Sequence, residues 1–199
     1  MKKIISLIMF VFTFNANAAL ITLGSYSFED YQFADSYLLE KGVSSRDPSN
    51  AVGANFDSFV SVDSSNAFSF NFSDNFLLNG SGFDIFVFEL AAVETPGLSL
   101  SLEGLLVEGT FIETVKNVPN ARFQVNIFGY DLGDLGIGLG SLYAGDLFLR
   151  TSSREPDIAA VAAINGGKFS NAVEASAPGS MLLFSLFLIT AVTYRRNLR

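Results

Sequence analysis

The chain has 199 residues, with 21 phenylalanines and no cysteine, histidine or tryptophan. Lacking cysteine, it must be held by a core, and it is long enough to bury a sizeable one. Lacking histidine, it has no Ser-His-Asp triad and no histidine-bearing metal site, and 12 basic against 20 acidic residues leave no surface for nucleic acid.

Residues 1–18 have the three parts of a secretory signal peptide. Lys2 and Lys3 supply the positive start, residues 4–14 the apolar run, and Ala16 and Ala18 the small residues that a signal peptidase reads, so cleavage is expected after Ala18. Residues 19–164 then read as one domain of strands. Phe68-Ser69-Phe70-Asn71-Phe72 alternates apolar and polar, the period of a half-buried strand, with Ser69 and Asn71 on the polar face. Asn79-Gly80-Ser81-Gly82 is a turn. Ile85-Phe86-Val87-Phe88-Glu89-Leu90 is nearly all apolar, which predicts a central strand covered on both faces. Residues 98–102 alternate again. Residues 105–107 and 110–115 predict a hairpin around Glu108-Gly109, and 123–128 a further alternating strand. Residues 131–145 carry five glycines and are expected to be an ordered loop, with Leu132, Leu135, Ile137, Leu139 and Leu142 packed onto the core. Strands at 147–151 and 158–164 complete the set. Short strands at close intervals, separated by Gly, Asn and Asp turns, point to an all-β fold, an antiparallel β-sandwich or jelly roll.

Residues 165–175 read as a spacer, and 176–199 as a second sorting segment. Its uncharged stretch, 177–194, is near the lower limit of the ~20 apolar residues that a membrane-spanning helix usually needs. Arginines after it would stay cytoplasmic, so the domain would face outward. Seven of the twelve basic residues but all twenty acidic ones fall within 19–176, a formal net charge of −13 for the expected mature portion. Such a surface suits solubility outside the cell and attracts divalent cations.

Ser176-Ala177-Pro178, the apolar run after it and the cluster with Arg195 and Arg196 resemble a PEP-CTERM sorting signal, with Ser-Ala-Pro in place of the central Pro-Glu-Pro. The resemblance implies recognition by an exosortase-type membrane transpeptidase, removal of the tail near the motif, and an exported location in Gram-negative bacteria that make extracellular polysaccharide. The domain is also similar to the β-rich domain common in proteins with this tail. The matches are Phe33-Ala34-Asp35-Ser36, Phe72-Ser73-Asp74-Asn75, residues 79–89, Tyr130-Asp131-Leu132 with Gly136-Ile137, and residues 156–164.

Calcium takes hard oxygen ligands and needs neither histidine nor cysteine. Asp35, Asp84, Glu89 and Asp157 lie within the resembling motifs beside strand ends, and are the expected ligands if calcium binds. The competing reading of each Asp is a turn cap, its side chain bonded to nearby backbone amides. A glycosidase needs only two carboxylates, but Asp84 and Glu89 are five residues apart. They fall on opposite faces of a strand and roughly 16–17 Å apart along it, so they do not form a catalytic pair. No catalytic residue is assigned. Tyr26, Tyr31 and Tyr37 read either as a sugar-stacking patch or as strand packing.

The expected protein is a non-enzymatic component of the cell surface or extracellular matrix. Its expected partners are signal peptidase, an exosortase-type enzyme and extracellular polysaccharide, with membrane contact through the tail and no nucleic acid. A calcium-dependent or glycan-binding module is the alternative reading, and a secreted carboxylate-based hydrolase a further one.

Overall fold

The computed structural model describes residues 19–41, 47–63, 67–73, 75–151, 155–164 and 166–168. In chain order the strands are β1 (Leu20–Leu23), β2 (Tyr26–Glu29), β3 (Ser36–Lys41), β4 (Val60–Ser61), β5 (Ala67–Asn71), β6 (Asn75–Leu78), β7 (Ile85–Leu90), β8 (Gly97–Ser99), β9 (Val107–Glu108), β10 (Thr110–Val115), β11 (Val125–Tyr130), β12 (Leu142–Tyr143), β13 (Leu147–Arg150), β14 (Asp157–Ala163) and β15 (Gly167–Lys168). Every strand pairing among the described residues is antiparallel. Only two 3-10 turns, Asp30–Gln32 and Pro48–Ala51, interrupt the strands and loops of these residues, and no helix among them is long and apolar enough to cross a membrane.

Two five-stranded sheets dominate, ordered β10-β11-β7-β14-β4 and β3-β5-β13-β8-β9. Both contribute to one hydrophobic core: Ile85, Val87, Phe128 and Val161 from the first, Phe68, Phe70, Leu98 and Leu149 from the second. The first sheet carries a second core on its other face. Phe86, Phe88, Leu90, Val125 and Ile127 pack there against Leu23 and Phe28 of the β1–β2 hairpin and against Phe33, Phe56 and Phe59. Successive side chains of a strand point to opposite faces, so β7 sends Ile85 and Val87 into one core and Phe86 and Phe88 into the other. All six of its residues are buried, which bears out the central strand expected from its nearly continuous apolar run. The Phe28 ring meets those of Phe86 and Phe88 edge-on, each at 5.3 Å between centroids, a geometry in which ring edge and ring face attract.

Four local expectations are corrected. Residues 105–115 do not form a hairpin: β9 pairs with β8, whereas β10 pairs with β11 in the other sheet. The chain changes sheets at Gly109, whose amide donates to the Pro96 carbonyl at 3.0 Å. A Cβ there would lie 2.5 Å from the Tyr130 hydroxyl, so the crossing needs the bare backbone. The strand expected over 98–102 stops at Ser99, because the Ser99 hydroxyl and the Gly104 amide both bond the Ser101 carbonyl and turn the chain. The face opposite Phe68 and Phe70 is only partly wet, since Ser69 is buried and Asn71 exposed. In the glycine-rich loop Leu132 and Leu135 are buried and Ile137 packs beside them, but Leu139 and Leu142 are 77% and 64% exposed. Asn79 pins the loop through its bonds to Ile137, Gly140 and Ser141; Leu139 falls between these bonds and Leu142 just after them, and neither reaches the core. Beyond β14, β15 pairs with β6, with Gly167 in register with Phe76 and Lys168 with Asn75.

Candidate functional site

A polar row crosses three strands of the first sheet. Thr114 on β10 is in register with Asn126 on β11, Asn126 with Glu89 on β7, and Glu89 with Ile158 on β14. Glu89 and Asn126 keep the phase of Val87 and Phe128, so they point to the core shared by the two large sheets. Both are fully buried. Asn126 Nδ2 donates to Glu89 Oε2 at 2.5 Å and to the Ala92 carbonyl at 3.1 Å. The Thr114 hydroxyl donates to Asn126 Oδ1 at 2.7 Å, which fixes the orientation of the amide. Glu89 Oε1 has no hydrogen-bond partner.

Burial raises the Glu89 carboxyl to about 8, against the pull of the Asn126 hydrogen bond and of the Glu94 backbone amide, and with added repulsion from the Glu94 and Asp157 carboxylates. The cause is general: a buried carboxylate loses hydration that these donors do not replace. The shift favours the uncharged acid form in the core at neutral pH.

The other expected ligands are held elsewhere, each by hydrogen bonds within the fold. Asp84, buried at the opposite end of β7, accepts the Gly80 amide at 2.7 Å and the Leu132 amide at 2.9 Å. Asp35 precedes β3 and accepts the Ser73 amide and hydroxyl at 2.6 and 3.1 Å. Asp157 opens β14 and accepts the Ser61 hydroxyl at 2.5 Å. The structure brings Glu89 and Asp157 to the same end of the sheet and leaves Asp84 a strand length away, so Asp84 and Glu89 cannot share an ion. Among the described residues no three acidic groups are placed to hold a metal ion. The three tyrosines sit on separate elements. The Tyr26 ring packs 4.6 Å from Phe86 and belongs to the second core. The Tyr31 carbonyl accepts from Asn75. The Tyr37 hydroxyl donates to Asp47 at 3.3 Å, and its side chain lines an open groove with Asp35, Ser36, Leu38, Ser49 and Val52.

Asn126 and Thr114 are absent from the sequence-derived candidates. Alternation over 123–128 assigns Asn126 to a wet face, yet every residue of β11 is buried. The available signal is a pair of polar residues, Glu89 and Asn126, inside two runs that are otherwise almost wholly apolar. The signal-peptide and sorting residues Ala16, Ala18, Ser176, Ala177, Pro178, Arg195 and Arg196 lie outside the described residues. No protein-family model, no curated protein and no solved structure matches the chain.

Proposed function

We propose that this is an exported, non-enzymatic protein of the cell surface or extracellular matrix, built on an antiparallel β-sandwich and sorted by an exosortase-type enzyme through its Ser176-Ala177-Pro178 tail. The observation that carries the non-enzymatic reading is how its carboxylates are used. Asp35, Asp84, Glu89 and Asp157 each accept a hydrogen bond that ties one loop or strand to another, which is architectural work. The sandwich reading rests on the two five-stranded sheets sharing one core. Intact mass spectrometry of the protein from its native cells tests the sorting. A product ending near Ser176 is expected, and a mass matching residues 19–199 refutes tail processing.

A glycan-binding role is the second reading, favoured by the groove at β3. Tyr37 there offers an aromatic face 36% exposed, beside the oxygens of Asp35, Ser36 and Ser49. Extracellular polysaccharide from the same cells is expected to bind the wild-type protein and to bind Tyr37→Ala at least about tenfold more weakly, as loss of a stacking contact worth ~1.4 kcal/mol requires. Equal binding by the two proteins removes this reading.

A further inference from the structure

We propose that the loop joining β10 to β11 binds an acidic polysaccharide: Lys116 and Arg122 take the carboxylates of a chain of uronate sugars, and Phe123 takes the face of a sugar ring. This deepens the reading of an exported surface protein by giving it a ligand class, and it rests on that reading. Residues 114–130 contain Lys116 and Arg122 but no aspartate or glutamate, an island of positive charge in a portion whose net charge is −13. Both cations are exposed. The Arg122 guanidinium lies 5.6 Å from the centre of the Phe123 ring, within the range at which a cation and an aromatic face attract. That ring is itself 42% exposed. Arg150 is tied to the Gly104 carbonyl at 3.4 Å. Lys116 and Arg122, by contrast, have no hydrogen-bond or ion-pair partner among the described residues. A planar guanidinium with open donors matches the two oxygens of a carboxylate.

The loop is built to hold these groups in place. Val118 is buried, and its carbonyl accepts the Ala121 amide at 3.1 Å. Asn117 and Asn120 have φ of +59° and +64°, and Ala91 in the loop after β7 has +70°. No other non-glycine residue among the described ones has a positive φ. Asparagine adopts this conformation more readily than most residues, and alanine does not. Ala91 exchanges hydrogen bonds with Gln124 at 3.1 and 2.8 Å, so the strained positions belong to two joined loops. Strain of this kind persists where its surroundings enforce it, and it collects at ligand clamps. Of the carboxylates on these adjoining elements, Glu113 accepts the Ser25 amide at 2.8 Å and Glu94 is half-buried. The charge of the domain also selects the form of the partner. A second copy would bring its own acidic face against this one. A linear chain touches only the loop, and the acidic remainder is screened from it beyond about 10 Å near 0.1 M salt.

Titration calorimetry of the full-length protein at about 0.1 M sodium chloride, without calcium, is the test. The probes are oligogalacturonate and alginate oligomers as uronate chains, dextran as a neutral sugar, and phosphatidylglycerol vesicles as an anionic surface. At least one uronate chain is expected to bind, and dextran is not. Arg122→Ala and Phe123→Ala are each expected to weaken uronate binding at least about tenfold. Both side chains are exposed, so the variants should melt with the wild type. Failure of both uronate chains to bind, or equal binding by wild type and Arg122→Ala, overturns the proposal. Tighter binding to the vesicles than to either uronate chain overturns it in favour of a membrane surface. Uronate binding weakened by Tyr37→Ala and not by Arg122→Ala places the sugar in the groove at β3 and overturns this site alone. The sorting reading is decided separately by the intact mass, so a tail cut near Ser176 with no uronate binding removes only the loop site.

Discussion

Asp84 and Glu89 mark the two ends of β7 and are both buried, yet their surroundings differ in one respect. Each Asp84 oxygen meets a backbone amide, Gly80 on one and Leu132 on the other, so its charge is compensated and two loops are joined through it. Asp84→Ala leaves two amides without their acceptor, and about 2–4 kcal/mol of stability is expected to be lost; the denaturant midpoint reads this. Asp84→Asn retains one acceptor and should fall between. Glu89 has an oxygen, Oε1, without a hydrogen-bond partner, and burial raises its carboxyl from 4.5 to about 8. Below about pH 4.5 folded and unfolded forms both hold the proton. From there to about pH 8 the unfolded chain has released it while the fold keeps it, so stability falls as pH rises, by up to about 1.4 kcal/mol per unit from this group. Above that range its contribution is flat. Melting temperatures across this window are expected to decline in the wild type and to decline less in Glu89→Gln, which should also be the more stable protein at neutral pH.

Among the elements, the β1–β2 hairpin has the clearest task, which is to cover the outer face of β7. Phe28 is fully buried between Phe86, Phe88 and Phe33. Phe28→Ala is expected to cost about 3–5 kcal/mol through the cavity it leaves, and faster hydrogen exchange along β2 would show the hairpin loosening with it. The turn of the hairpin is equally constrained. Gly24 has φ of +57°, and a Cβ there would fall 2.3 Å from the Glu113 carboxylate, whose Oε1 accepts the Ser25 amide. Gly24→Ala is therefore expected to destabilise by about 1–2 kcal/mol, from left-handed strain and a displaced Glu113 together. The covered strand is legible in the sequence because a nearly continuous apolar run leaves no wet face for β7. Its cover is not, since residues 20–29 alternate only loosely and nothing local says which sheet they meet. The crossing at Gly109 is hidden for a similar reason. A glycine after a glutamate suits a hairpin turn, and only the remote Pro96 and Tyr130 make it a passage between sheets. The buried row is missed because alternation gives the phase of Asn126 but not what lies over that face.

For the whole molecule the dominant electrostatic fact is the imbalance over 19–176, seven basic against twenty acidic residues. Like charges spread over one compact surface repel one another more than they do along an expanded chain, so a net charge of −13 opposes folding at low ionic strength. Screening reaches into this repulsion once the Debye length falls to about 10 Å, near 0.1 M salt. The melting temperature is therefore expected to rise with sodium chloride, steeply at first and then to level off. A relief of about 1–2 kcal/mol would appear as roughly 2–8 °C for a domain of this size. The comparison of cations separates screening from binding. Calcium and magnesium at equal ionic strength should give the same rise if the surface only screens, and the rise should persist in Asp157→Asn. A larger rise with calcium alone, abolished by Asp157→Asn, would mean that a defined ion site rather than diffuse charge controls the stability of the sheet end shared by Asp157 and Glu89.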